Sequence, residues 1–97
     1  MSRRYYVFIS GKGPRRAVDV QEAAIDPFGD FVAEVQRVFG LLPTELSGIE
    51  FRRVQSPPDE DIASEMFEAS QSHTVKDNNT LSAQGVVYIV GKLAGGE

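Results

Sequence analysis

The chain has 97 residues, 41% hydrophobic and 25% charged, which suits one domain with a single core and excludes a two-domain organisation or wholesale disorder. It has no cysteine, so a disulfide scaffold, a thiolate metal site and a cysteine nucleophile are excluded together. A formal net charge of −4, with the cations split among several places and Arg3-Arg4, Arg15-Arg16 and Arg52-Arg53 as the only doublets, argues against a nucleic-acid footprint.

The first run, Tyr5-Tyr6-Val7-Phe8-Ile9-Ser10, is dense in aromatic and β-branched residues and predicts a strand, stopped by Gly11-Lys12-Gly13-Pro14. Arg15-Arg16-Ala17-Val18-Asp19-Val20 alternates, with Val18 and Val20 on one side and Ala17 and Asp19 on the other, so the two runs read as a hairpin. Glycine permits positive φ in the turn and Pro14 cannot donate to a ladder, which explains the segment without a phosphate-binding loop. Asp26-Pro27 opens a helix: the carboxylate can cap free N–H groups, and proline's fixed φ suits the first turn. Phe28, Phe31, Val32, Val35, Val38 and Phe39 then form one apolar stripe fit to lie on a sheet, and Gly40 supplies the stop.

Leu41-Leu42-Pro43 leads into a half-buried strand, Ile49-Glu50-Phe51-Arg52-Arg53-Val54, with Ile49 and Phe51 on one face and Glu50 and Arg52 on the other. From Gln55 to Ser72 a loop with a short amphipathic helix is expected: Ser56-Pro57-Pro58 breaks regular structure, and Ile62, Met66 and Phe67 follow at near-helical spacing. Asp59-Glu60-Asp61 suits a helix start and lacks the spacing of a Ca²⁺ loop, so no metal site is expected. His73-Thr74-Val75-Lys76 reads as a short strand and Asp77-Asn78-Asn79 as a turn. Val86-Val87-Tyr88-Ile89-Val90, apolar throughout, reads as a central strand.

Beyond it come Lys92-Leu93-Ala94-Gly95-Gly96-Glu97. Paired glycines have little bulk, so this segment can lie extended in a narrow enzyme channel and present a glycine carboxylate once a protease removes Glu97. The plainer reading is a frayed terminus, since chain ends are often glycine-rich.

The order β-β-α-β-(short α)-β-β, with Gly40-Leu41-Leu42-Pro43 after the helix, Thr80-Leu81-Ser82 before the last strand and Leu93-Ala94-Gly95-Gly96 after it, resembles a ubiquitin-like β-grasp protein over residues 4–96. The fold expected is α+β: a mixed four- to five-stranded sheet packed on one main helix, with a short second helix in the 55–72 insertion. The domain is expected to occupy residues 1–91, with a flexible tail over 92–97. The resemblance implies a protein modifier whose glycine carboxylate is adenylated, passed to a cysteine as a thioester and transferred to a target amine. Gly95, Gly96 and Glu97 would be the conjugation and processing positions, and Lys92, Leu93 and Ala94 the tail that the enzymes read.

The partners implied are activating and conjugating enzymes, a processing protease and target proteins, with no cofactor, nucleic acid or membrane, and a monomeric state. The family's familiar tail is Leu-Arg-Gly-Gly; Ala94 replaces its arginine, so dedicated enzymes are expected. Counting back from the glycines puts Tyr88 and Val90 on the open sheet face beside Glu50 and Arg52, a mixed protein-interaction face in place of an apolar patch. The rival reading is a non-covalent ubiquitin-like binding module, or the N-terminal domain of a larger protein such as an effector. With one histidine, His73, and no serine in a nucleophile-elbow context, no catalytic residue and no enzyme activity are expected. No apolar run reaches the ~20 residues of a membrane span, and Met1-Ser2-Arg3-Arg4-Tyr5-Tyr6 lacks a signal-peptide core, so a cytoplasmic location is expected.

Overall fold

The apolar runs become the strands of one mixed sheet in the structure, a computed structural model that describes residues 2–21, 23–69, 73–82 and 87–93. β1 (Ser2–Ile9) and β2 (Arg16–Gln21) form the antiparallel hairpin, turning through Gly11 and Gly13 at φ of 81° and 90°, where a side chain would be strained. α1 (Pro27–Phe39) and a short α2 (Pro43–Ser47) lead to β3 (Ile49–Val54). α3 (Ala63–Glu68), β4 (His73–Val75), α4 (Asn78–Leu81) and β5 (Tyr88–Leu93) follow. The strand order is β2-β1-β5-β3-β4, with β1 and β5 parallel and the other neighbours antiparallel. This α+β arrangement is compatible with a β-grasp fold. Among the described residues, no helix is long and apolar enough to cross a membrane.

α1 begins and ends as its sequence predicts. Asp26 accepts a hydrogen bond from the Gly29 N–H at 3.3 Å, Pro27 occupies the first turn, and Gly40 closes the helix in the left-handed region at φ 67°. A second cap comes from a distant segment: the Phe28 N–H donates to Asn78 Oδ1 at 2.7 Å, tying the start of α1 to α4. Asp77-Asn78-Asn79, expected as a turn, extends into α4 because Asp77 accepts from the Thr80 N–H at 2.9 Å while Thr80 Oγ1 accepts from the Asp77 N–H at 3.0 Å. α2 likewise adds a helical turn after Pro43, where the Leu42 N–H donates to Glu45 Oε1 at 2.9 Å.

The principal core lies between α1 and one sheet face. Phe31, fully buried, sits at its centre, with the rings of Tyr5 at 5.5 Å and Phe51 at 5.4 Å, both edge-on. Val7, Ile9, Val18, Val20, Val35, Leu41, Val75, Leu81 and Ile89 complete it. The Tyr5 hydroxyl reaches the Leu81 carbonyl at 3.4 Å, so the one phenol in this core keeps a polar partner. Gly91 stands in β5 where a Cβ would come within 3.1–3.2 Å of Ile49, Ile9 and Phe51, which is why an apolar strand carries glycine there.

β5 runs further than the sequence predicts. Lys92 and Leu93, expected in the tail, pair with Glu50 and Ile49 of β3, so the last strand passes the expected boundary at residue 91. Ala94, Gly95, Gly96 and Glu97 lie outside the described residues.

Candidate interaction surface

Strand alternation places Arg4, Tyr6 and Phe8 of β1, Ala17 and Asp19 of β2, Tyr88, Val90 and Lys92 of β5, and Glu50, Arg52 and Val54 of β3 on the face away from α1. All four residues predicted for the interaction face, Glu50, Arg52, Tyr88 and Val90, therefore share it. The face is not open along its length, however. α3 lies over one part of it and buries Phe8, Val90, Ala63 and Phe67 in a second, smaller core, with Val54 at its margin. Val90 is only 2% exposed and is corrected from an interface residue to a core residue.

Cations from the sheet hold α3 in place. The Arg52 guanidinium carbon lies 4.4 Å from the centre of the Phe67 ring, and Arg52 Nη1 donates to the Phe67 carbonyl at 2.9 Å. Arg52 Nε also donates to Glu50 Oε2 at 3.0 Å, so these two predicted surface residues form a pair that orients the guanidinium over the helix. Lys92, diagonal to Arg52 across β5 and β3, approaches the same ring at 5.5 Å and Glu68 Oε2 at 3.4 Å. Predicted as a tail residue read by enzymes, it fastens α3 in the folded domain.

The other part of this face remains accessible. Tyr6, 37% exposed, and half-buried Tyr88 face each other across the parallel β1–β5 pair, with ring centroids 5.9 Å apart. Beside them Arg4 and Asp19, opposite each other in register, form a two-point ion pair with N–O distances of 2.9 and 3.1 Å. The hydrogen bond from Arg4 holds the Asp19 carboxyl below its usual range, and the Arg4 guanidinium is raised in turn. Two tyrosines beside a fixed ion pair make a flat, amphipathic platform suited to a protein partner.

The basic doublets do not assemble on one face. Arg3 lies over the Tyr5 ring on the α1 side while Arg4 faces away, Arg52 and Arg53 divide in the same manner, and Arg15 Nη1 donates to the Pro58 carbonyl at 2.8 Å. His73 is exposed on β4 opposite Arg53. Among the described residues, no group of three or more His, Cys, Asp or Glu side chains could hold a metal ion.

The residues that sequence reasoning missed are Phe8 and Ala63. β1 and β5, neighbours at the sheet centre, are both apolar without alternation, a pattern of strands covered on both faces. The Ala63–Phe67 spacing of four supplies the covering stripe, one residue out of phase with the Ile62–Met66 pair that the sequence suggests. No protein-family model, curated protein or solved structure matches the chain.

Proposed function

We propose that this protein is a ubiquitin-like β-grasp modifier, processed after Gly96 and conjugated through the Gly96 carboxylate to amines on target proteins. One observation carries the reading. The chain joins a β2-β1-β5-β3-β4 sheet crossed by one long helix to a last strand that reaches Leu93, directly before Ala94-Gly95-Gly96 in sequence. In that reading a protease hydrolyses the Gly96–Glu97 peptide bond. An activating enzyme then converts the carboxylate and ATP to the acyl adenylate with loss of pyrophosphate and passes the acyl group to a thiol with loss of AMP, and a conjugating enzyme delivers it to an amine, freeing the thiol. The modifier itself performs no catalysis and acts in the cytoplasm. Tyr6, Tyr88, Arg4 and Asp19 give it an accessible surface by which partners would read it once attached.

Intact-mass spectrometry and denaturing gels of an N-terminally tagged chain expressed in its native cell test this directly, beside Gly96→Ala and a form lacking residues 95–97. Loss of Glu97 with heavier adducts that require the glycines, and a Leu-Ala-Gly-Gly remnant on target lysines after tryptic cleavage at Lys92, is the expected result. An uncut chain without adducts would refute conjugation. The tyrosine platform would then favour the second reading, a non-covalent binding module or a domain of a larger protein, because its accessibility does not depend on the glycines.

A further inference from the structure

The face away from α1 carries two successive pairs across the parallel β1–β5 ladder, Tyr6 opposite Tyr88 and then Phe8 opposite Val90. Val54, opposite Tyr88 on β3, widens the same strip. α3 divides it. The tyrosine pair stays accessible, while Phe8 and Val90 are buried with Ala63 and Phe67 of the helix. These four form a cluster separate from the core under α1, so α3 covers this cluster and not the main core.

The sequence of α3 gives it little hold of its own. It has six residues and buries only Ala63 and Phe67; Ile62 at its start offers no side-chain cap, and no basic residue stands in its last turn. α1, by contrast, has Asp26 at one end and Arg37 and Gly40 at the other. α3 is fastened from the sheet instead, by Arg52 on the ring and carbonyl of Phe67 and by Lys92 on Glu68, an exposed pair. On its hairpin side a cleft of about 730 Å³ separates it from the β1–β2 turn. The chain just before it is anchored differently: Pro58 is fully buried and its carbonyl accepts from Arg15 Nη1 at 2.8 Å, so a fixed point precedes residues 59–62.

We infer that α3 is a lid, which swings on residues 59–62 beyond the anchored Pro58 and opens while α1 and the sheet stay folded. Opening exposes Phe8, Val90 and Phe67 to water, but it also restores the freedom of a six-residue helix and of the Arg52 and Lys92 side chains, and these opposing terms are of similar size. Closed, the lid withholds half of the strip. Open, Tyr6, Tyr88, Phe8, Val90 and Val54 form one continuous aromatic and aliphatic band. The lid does not depend on conjugation, since no residue of the glycine segment takes part in it.

Because the chain has no cysteine, a single introduced thiol reports on its own position. Val90→Cys places one under α3 and Val35→Cys one under α1, both at buried sites. The test is the rate of reaction of each with 5,5′-dithiobis(2-nitrobenzoate) in native buffer and in low urea, relative to the same variant fully unfolded. Val90→Cys should react at least about tenfold faster than Val35→Cys and with little urea dependence, whereas Val35→Cys should follow global unfolding. Adding Arg52→Ala should speed Val90→Cys about 5- to 30-fold. Equal rates and equal urea dependence for the two thiols would overturn the lid, since α3 would then leave only with the whole fold. A Val90→Cys rate indifferent to Arg52→Ala would overturn it as well, because the reagent would be entering through the cleft with α3 in place. So would a rate equal to that of the unfolded chain, which would leave no closed state. Ala63→Cys on the underside of α3 and Val18→Cys in the main core supply the same comparison should either first variant not fold.

Discussion

The two faces of the sheet are covered in different ways. On one, the 13-residue helix α1 lays an apolar stripe over Tyr5, Val7, Ile9, Val18, Phe51 and Ile89, and the bulk of the core forms there. On the other, the six-residue α3 buries four residues and is fastened by Arg52 and Lys92 acting on a ring, a carbonyl and a carboxylate. A long amphipathic helix is held by area, whereas a helix too short to be stable alone needs polar fasteners at its edges. The first layer defines the fold; the second decides which part of the sheet a partner can reach.

The sharpest way to break this comparison is Val35→Asp, which places a charge in a fully buried position under α1. A loss of at least about 4–5 kcal/mol is expected, a large share of the roughly 5–15 kcal/mol typical of a small domain, so the melt should fall steeply. A wild-type thermal melt by circular dichroism would refute the placement of α1. Next is Phe67→Ala, which should cost about 3 kcal/mol, at the low end for a buried phenylalanine because α3 can detach and hydrate. Amide hydrogen exchange should accelerate in α3 and β5 while α1 keeps its protection. Uniform acceleration would mean that the two layers are one cooperative unit.

Arg52→Ala removes the cation over Phe67 and the bond to its carbonyl, and about 1–2 kcal/mol is expected in a denaturant titration. No change on combining it with Phe67→Ala, beyond the effect of Phe67→Ala alone, would show that Arg52 acts only through that ring.

The smallest effect concerns α4 and acid. The Thr80 N–H and hydroxyl lower the Asp77 carboxyl below the ordinary aspartate range. On acidification the unfolded chain takes up this proton first. The contribution is therefore complete above the unfolded value, and it is lost as pH falls through the depressed folded one. Asp77→Asn should lower the neutral-pH melt slightly and leave stability in strong acid nearly unchanged, which flattens the acid side of the profile. An unaltered acid profile would remove Asp77 from the titration.

Much of the first layer was legible in the sequence. Phe28 to Phe39 gave the helix by its period, Asp26-Pro27 and Gly40 gave its ends, and Val18 and Val20 gave the buried side of β2 by alternation. The second layer was legible only in part. A helix within 55–72 was readable, but its docking on Phe8 and Val90 joins three segments distant in sequence, and no local period encodes such a meeting. Counting back from the glycines fixed the correct face for Val90 but not its burial, because alternation specifies a side and says nothing of what covers it. α2 and α4 were hidden for another reason: each is a short turn stabilised by side chains returning to the backbone, one in α2 and two in α4, in residues that serve equally well in turns.

The parallel pairing of β1 with β5 has a consequence for how this molecule comes into being. β5 stands between β1 and β3, so the hairpin on one side and the β3–β4 pair on the other have no common strand until residues 88–93 have been synthesised. The middle of the sheet is a closure between the two ends of the described chain, and its entropic cost precedes most of its reward. A nascent chain must therefore carry its exposed apolar strands until β5 has been made. During that interval Tyr5-Tyr6-Val7-Phe8-Ile9, without alternation and bare on both sides, is the segment most in need of a chaperone.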